Sequence, residues 1–226
     1  MDSFLMVGQS NMAGRGEMQN EPPRFAATAY MLRHGRWQPL CEPVNPDRPF
    51  SGASLATSFL LEEVEKTGGE AGLIPCADGG TRIRDWAAGG LLFDHAVMQA
   101  ALARRTSTLR AILWHQGESD AEDEQGADGY EDRLTEVLSA LRREAGDVPI
   151  VLGEIGEYLL NRPDQFPCAT EINAAIHQAA HRLGNAGVAS AAGLQCKRDG
   201  LHFDTPSLRI FGRRYHQIYE ALTRGA

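Results

Sequence analysis

An α/β domain built on a parallel sheet is the fold class predicted here, and three observations predict it. Short apolar runs alternate five times with amphipathic helical stretches. The first run is continuous in hydrophobicity rather than alternating, as strands covered on both faces are. Polar, glycine-rich blocks follow the runs directly, at the carboxyl ends of strands, where open α/β sheets bind their ligands. The 226 residues carry no internal repeat, low-complexity tract or linker, so a single domain spanning 1–226 is expected.

The first strand covers 4–7 and ends at Gly8, leaving Ser10 just beyond it. Gly14 stands four positions after Ser10, so the Gly-x-Ser-x-Gly elbow is absent. A serine or asparagine cap opening a helix is the plain alternative for Ser10. Residues 15–49 read as one long irregular stretch, broken by Pro22, Pro23, Pro39, Pro43, Pro46 and Pro49. Leaving from the Ser10 segment, it is expected to wall a pocket, with Phe25, Tyr30, Trp37 and Phe50 mostly a satellite core beneath it.

A helix over 52–66 places Leu55, Phe59, Leu60 and Val64 opposite Glu62, Glu63, Glu65 and Lys66, and Gly68-Gly69 ends it. The second strand, 72–76, delivers Asp78-Gly79-Gly80-Thr81. A helix over 91–105 precedes the third strand, 109–114, which ends at His115-Gln116-Gly117-Glu118-Ser119-Asp120. The acidic stretch 120–128 reads as a solvated loop, and the next helix carries the stripe Tyr130, Leu134, Val137, Leu138, Leu141. The fourth strand is 149–153, the following helix turns Ile172, Ile176, Ala179 and Leu183 inward, and 187–191 makes a weak fifth strand. Thr205 as cap and Pro206 in the first turn open the last helix. Right-handed crossovers then give a three-layer α/β/α sandwich on a five-stranded parallel sheet of flavodoxin-like order 2-1-3-4-5.

Composition narrows the function. The formal charge of −8 argues against a nucleic-acid surface, which needs a basic stripe. No apolar run approaches the roughly 18 residues of a membrane helix, and no basic-plus-apolar leader is visible. A cytoplasmic location is the expectation, although a chain with its signal peptide removed would look the same. Cys41, Cys76, Cys168 and Cys196 form no Cys-x-x-Cys pair, so reduced thiols and no structural zinc are expected. His177 and His181 lie four apart on a helix without a neighbouring acidic or thiol ligand, and read as surface histidines.

In the 2-1-3 order the ends of three strands lie side by side at the switch point, carrying Ser10, Gly79-Gly80 and Gln116. After the fifth strand comes Asp199-Gly200-Leu201-His202, whose two ionisable residues are three apart and share one face of a helical turn. An aspartate can hold the near nitrogen of such a histidine while the far nitrogen reaches a serine. A serine hydroxyl needs a base to become a nucleophile, and an imidazole, with an unperturbed pKa near 6.5, suits that task. A glycine amide, a carboxamide and the amide of Ser10 are the donors an oxyanion needs.

The blocks Gly8-Gln9-Ser10-Asn11-Met12-Ala13-Gly14, Gly79-Gly80-Thr81, His115-Gln116-Gly117-Glu118-Ser119 and Asp199-Gly200-Leu201-His202-Phe203 resemble the signatures of the SGNH/GDSL hydrolase superfamily. Within it they are most similar to the sialate O-acetylesterase-like and acetyl xylan esterase branch, carbohydrate esterase family 6. The resemblance implies Ser10 as nucleophile, His202 as base and Asp199 as its acid. It implies Ser10, Gly80 and Gln116 as the oxyanion hole, and no metal or cofactor.

Glu118 has two readings, a buttress for the oxyanion loop or a second partner for His202. Gly79 competes with Gly80 for the oxyanion amide. Asn11 lines the acyl pocket or forms a turn, and Arg82 narrows the pocket or meets an anionic substrate group. For Trp86 and Arg84, packing and a solvated face compete with sugar contacts. A serine esterase removing O-acetyl or other short acyl groups from a carbohydrate, small or polymeric, is the expected activity. The rivals are a lipid esterase or thioesterase on the same fold and a non-catalytic sugar-binding relative. Oligomeric state is not legible.

Overall fold

Strand β1 (Asp2–Gly8) runs through the middle of a seven-stranded sheet in the computed structural model, which describes residues 1–18 and 26–224. The other strands are β2 (Ala29–Arg33), β3 (Arg36–Pro39), β4 (Ala71–Pro75), β5 (Thr108–His115), β6 (Ile150–Gly153) and β7 (Ala186–Ala189). The order is β3-β2-β4-β1-β5-β6-β7. Five consecutive strands, β4-β1-β5-β6-β7, are parallel and reproduce the expected 2-1-3-4-5, with β7 at the edge.

The two additional strands correct the reading of 15–49 as irregular. Strand β2 pairs in parallel with β4, and β3 folds back antiparallel on β2. His34 and Gly35 make the turn at φ 51° and 72°, the positive values that two-residue hairpins of matching twist require. The six prolines, concentrated outside β2, obscured a short hairpin whose strands are barely long enough to show a period. Trp37 lies over Gly72, where a Cβ would sit 2.4 Å from the indole, and its Nε1 donates to Thr106 Oγ1 at 3.1 Å. Phe25, Pro22 and Pro23 lie outside the described residues.

Alternation along β1 divides the core. Leu5 and Val7 face the layer formed by α3 (Leu91–Ala103), α5 (Tyr130–Ala145) and α7 (Ala169–Leu183). Phe4 and Met6 face α2 (Leu55–Thr67) and α8 (Thr205–Thr223). Each large apolar side chain removed from water contributes about 1.5–3 kcal/mol, so these two clusters carry the stability of the sandwich. Short helices α1 (Ser10–Ala13), α4 (Glu124–Ala127) and α6 (Glu157–Leu160) punctuate the loops at the carboxyl ends of the strands. Asp204, and not Thr205, caps α8, its side chain accepting from Ser207 N. Ser10 is likewise no cap: it is the first residue of α1, behind Gln9. Among the described residues no helix is long and apolar enough to cross a membrane.

Gly8 lets β1 turn into the Ser10 segment. Its φ of +123° is foreign to L side chains, and a Cβ there would lie 2.0 Å from the carbonyl oxygen of His115. Gly8→Ala must push β5 away or abandon the turn. We expect a destabilisation of at least about 3 kcal/mol in urea unfolding, and a loss below 1 kcal/mol would contradict this reading of the strand end.

Candidate active site

Ser10 emerges from the end of β1, and its side chain meets His202 from the loop before α8. His202 Nε2 lies 3.0 Å from Ser10 Oγ, and Nδ1 lies 3.0 Å from Asp199 Oδ2. Ser10 and His202, 192 positions apart in the chain, are thus aligned with Asp199, serine to imidazole to carboxylate.

The Asp199 segment is a tight turn rather than a helical one, with Gly200 at φ 67°. Asp199 Oδ1 accepts from the amides of Leu201 and His202, each at 2.9 Å, which fixes the carboxylate relative to the ring. Its side chain is 39% exposed, at the solvent edge. Partial burial works against its charge. The amides of His202 and Leu201 and the imidazole outweigh that effect and hold the carboxyl down at about 2. An ionised carboxylate only accepts, so Nδ1 carries the ring proton and Nε2 of the neutral ring is the acceptor facing the Ser10 hydroxyl. This tautomer can take a proton from Ser10.

A cavity of about 260 Å³ opens over the pair, walled by Gln9, Gly79, Gly80, Ser119, Arg48 and Phe50 among others. Phe50 does not belong to a core: it is 69% exposed on the cleft rim, with the Arg15 guanidinium 5.3 Å from its ring centre. Between the two glycines, hydrogen bonding discriminates. Gly79 N donates to Asp47 Oδ2 at 2.9 Å, whereas the Gly80 amide makes no recorded bond among the described residues and its Cβ position is open. Of the two glycines lining the cleft, Gly80 is the one whose amide has no bond among the described residues.

Arg15 and Asp47 escaped the sequence reading. Arg15 is 4% exposed and grips Asp47 through two bonds of 2.9 and 2.7 Å, so Asp47 can position Gly79. The one sequence signal was an arginine set directly after a block of small residues; nothing local named its partner 32 positions on.

Gln116 is where it was expected, at the end of β5, but its carboxamide does not reach the cleft. Nε2 faces three acceptors: Gln9 Oε1 at 3.1 Å, Thr81 O at 3.1 Å and Asp120 Oδ2 at 2.5 Å. Its Oε1 accepts from the Tyr130 hydroxyl at 2.9 Å, and the residue is fully buried. Two N–H groups with three buried acceptors have nothing left for a substrate. The expected oxyanion role of Gln116 is therefore corrected to an internal tie.

Glu118 does not touch His202. Its Oε1 accepts from Asn11 Nδ2 at 2.5 Å and lies 2.9 Å from His115 Nε2. Burial opposes its charge, and His115, by charge and by hydrogen bond, with Asn11, brings its carboxyl below the usual range. Asn11 is fully buried, neither acyl-pocket wall nor turn, and its Oδ1 accepts from Phe203 N at 3.1 Å. Glu118 thus acts on the His202 loop through Asn11, which is the buttressing reading.

Arg82 is not among the residues that line the cleft. It forks onto Asp123 at 3.0 and 2.7 Å, which corrects its expected meeting with substrate. The acidic stretch is correspondingly structured: Asp123 caps α4, and the buried Asp120 accepts from Ile83 N and Gln116. Burial keeps the Asp120 carboxyl above its ordinary range despite these bonds. Trp86 is fully buried against Trp114, as packing required.

Comparison with known proteins follows the same lines. A family model described as carbohydrate esterase, sialic acid-specific acetylesterase, matches residues 1–221. An Arabidopsis thaliana protein named Probable carbohydrate esterase is 29% identical over 243 residues, covering 96% of this chain and 89% of the relative. A crystal structure of an Arabidopsis thaliana protein superposes with a TM-score of 0.84 at 26% identity, covering 97% and 98% of the two chains. NanS superposes at 0.78 with 15% identity, over 99% of this chain and 98% of NanS. At that identity NanS speaks for the fold alone.

Proposed function

The chain belongs to the sialic acid-specific acetylesterase family of carbohydrate esterases, and from that membership we propose that it removes acetyl or similarly short acyl groups from sugar hydroxyls through an acyl-enzyme on Ser10. The observation that carries this reading is the line from Ser10 Oγ through His202 to Asp199, with 3.0 Å at each joint.

Ser10 Oγ attacks the ester carbonyl carbon while its proton passes to His202 Nε2. The carbonyl π pair moves onto oxygen, and the oxyanion is met by the amides of Ser10 and Gly80. Asp199 stabilises the imidazolium so formed. Collapse re-forms the carbonyl, breaks the bond to the sugar oxygen and returns the proton from His202 to that oxygen, releasing the sugar alcohol. Water then attacks the acyl-Ser10 carbonyl with His202 again as base, and carboxylic acid and free Ser10 result.

The cleft of about 260 Å³ is lined largely by polar and glycine residues. Among the described residues its apolar lining is Phe50 and Leu201, and its volume suits a short acyl group better than a long chain, which weighs against the lipid esterase alternative. Acetate release from a panel of acetylated xylan, pectin fragments and sialosides tests the carbohydrate class. Turnover of at least one of these well above that of octanoyl esters is expected. Preference for octanoyl esters over every acetylated sugar would overturn the assignment.

A further inference from the structure

Phe50 stands between two cavities, and from that placement we propose a subsite for a second sugar ring beside the reaction cleft. The substrate is then a chain of at least two sugars, with the acylated ring over Ser10 and its neighbour against Phe50. This rests on the carbohydrate esterase reading above and extends it from one ring to two.

Phe50 and Arg15 line the cleft of about 260 Å³ that holds Ser10. They also line a second cavity of about 380 Å³, where among the described residues Glu17, Ser51, Gly52 and Lys197 join them. The two spaces therefore adjoin at the phenyl ring.

The ring is 69% exposed, yet its mounting is firm. Residues 48–51 form a turn closed by Ser51 N donating to Arg48 O at 3.0 Å, with Pro49 at the second position. Ser51 Oγ accepts from Arg48 N at 3.1 Å and donates to Asp47 Oδ1 at 2.8 Å. Gly52 N donates to Gly14 O at 3.0 Å, which ties the turn to the segment after Ser10. The Arg15 guanidinium, itself fixed on Asp47, lies 5.3 Å from the ring centre and orients the ring. A large apolar side chain held in water on such a turn can be covered by a ligand without first ordering the loop.

The surroundings fit a sugar. A pyranose ring presents C–H groups on its face and hydroxyls around its rim. Phe50 matches the face, and the carboxylate of the exposed Glu17 and the ammonium of Lys197 offer an acceptor and a donor to the rim. Lys197 Nζ donates to Arg15 O at 2.9 Å and lies 3.5 Å from Asp199 Oδ2, so this wall of the subsite stands next to the triad acid.

The test compares substrates in pairs that carry the same acetyl ester on one ring or on several. Acetylated xylotriose is set against acetylated xylose, acetylated trigalacturonate against acetylated galacturonate, and O-acetylated sialyllactose against the free O-acetylated sialic acid. In the pair it hydrolyses best, the wild type is expected to favour the multi-ring member by about tenfold in kcat/KM, the effect of one well-packed aromatic contact. Phe50→Ala should remove that preference, with the loss lying in KM, as for an interaction equal in ground and transition states. Phe50→Trp should keep it. Unfolding temperature should stay within about 2 °C of wild type in both variants, because exposed substitutions act weakly on stability. No preference in the wild type, or an equal preference in Phe50→Ala, would overturn the subsite while leaving the esterase reading in place. Failure of the wild type to hydrolyse any acetylated sugar would remove that reading and the subsite with it.

Discussion

Ser10→Ala should lower kcat for 4-nitrophenyl acetate by about 10⁵–10⁶-fold, the loss seen when a triad nucleophile is removed. The fold should not notice. Among the described residues the hydroxyl makes one bond, to His202, and the residue opens α1 through its backbone. Unfolding temperature is accordingly expected within about 4 °C of wild type, since deleting the hydroxyl contact of the buried Ser10 changes stability by about 1 kcal/mol or less. Loss of activity together with a large fall in stability would mean that Ser10 is structural. Retained activity would mean that another group attacks.

Asp199→Asn should cost about 10³–10⁴-fold in kcat, because it inverts the imidazole. An amide NH2 facing Nδ1 favours the tautomer protonated at Nε2, and that ring cannot accept the Ser10 proton. Glu118→Gln is the control. Glu118 holds Asn11 and His115 but makes no bond to His202, so a loss of about tenfold or less is expected. If Glu118→Gln proves the more damaging of the two, the acid has been misassigned.

The pH profile follows from the same geometry. With its carboxyl at about 2, Asp199 stays ionised through the working range. The acid limb of kcat/KM should therefore fall with unit slope, following one proton onto the imidazole, with no second inflection above about pH 4. The sign for stability is that of a depressed carboxyl. Its contribution is present above the ordinary value of 3.8 and is lost as pH falls from there toward 2. Asp47 and Glu42 are also depressed, although burial opposes each, because Arg15 and Arg209 respectively hold them. Acid unfolding should draw on all three.

Much of this was legible in the sequence, for definite reasons. Continuous apolar runs such as 4–7 and 109–114 mark buried parallel strands, and their ends name the positions where Ser10, Gly80 and Gln116 must lie. The Asp199–His202 spacing was short enough to define its own geometry, helped by two amides that local sequence always supplies. What stayed hidden depended on distant partners. The β2–β3 hairpin is anchored by pairing of β2 with β4 and by Trp37 over Gly72, contacts no local pattern contains. Gln116 sits at the expected strand end, but the direction of its amide is decided by Asp120, Thr81 and Gln9 together. Arg82 looked available to substrate until Asp123, 41 positions away, took both its nitrogens. Strand ends can be read from hydrophobicity, whereas side-chain orientation depends on which partners arrive from elsewhere.

The nucleophile can be identified directly by covalent trapping. The protein is treated with a fluorophosphonate, digested and mapped by mass spectrometry. One adduct per chain on the peptide carrying Ser10 is expected, formed far more slowly in His202→Ala and absent from Ser10→Ala. An adduct on a different residue, or an active enzyme that resists labelling altogether, would contradict the account.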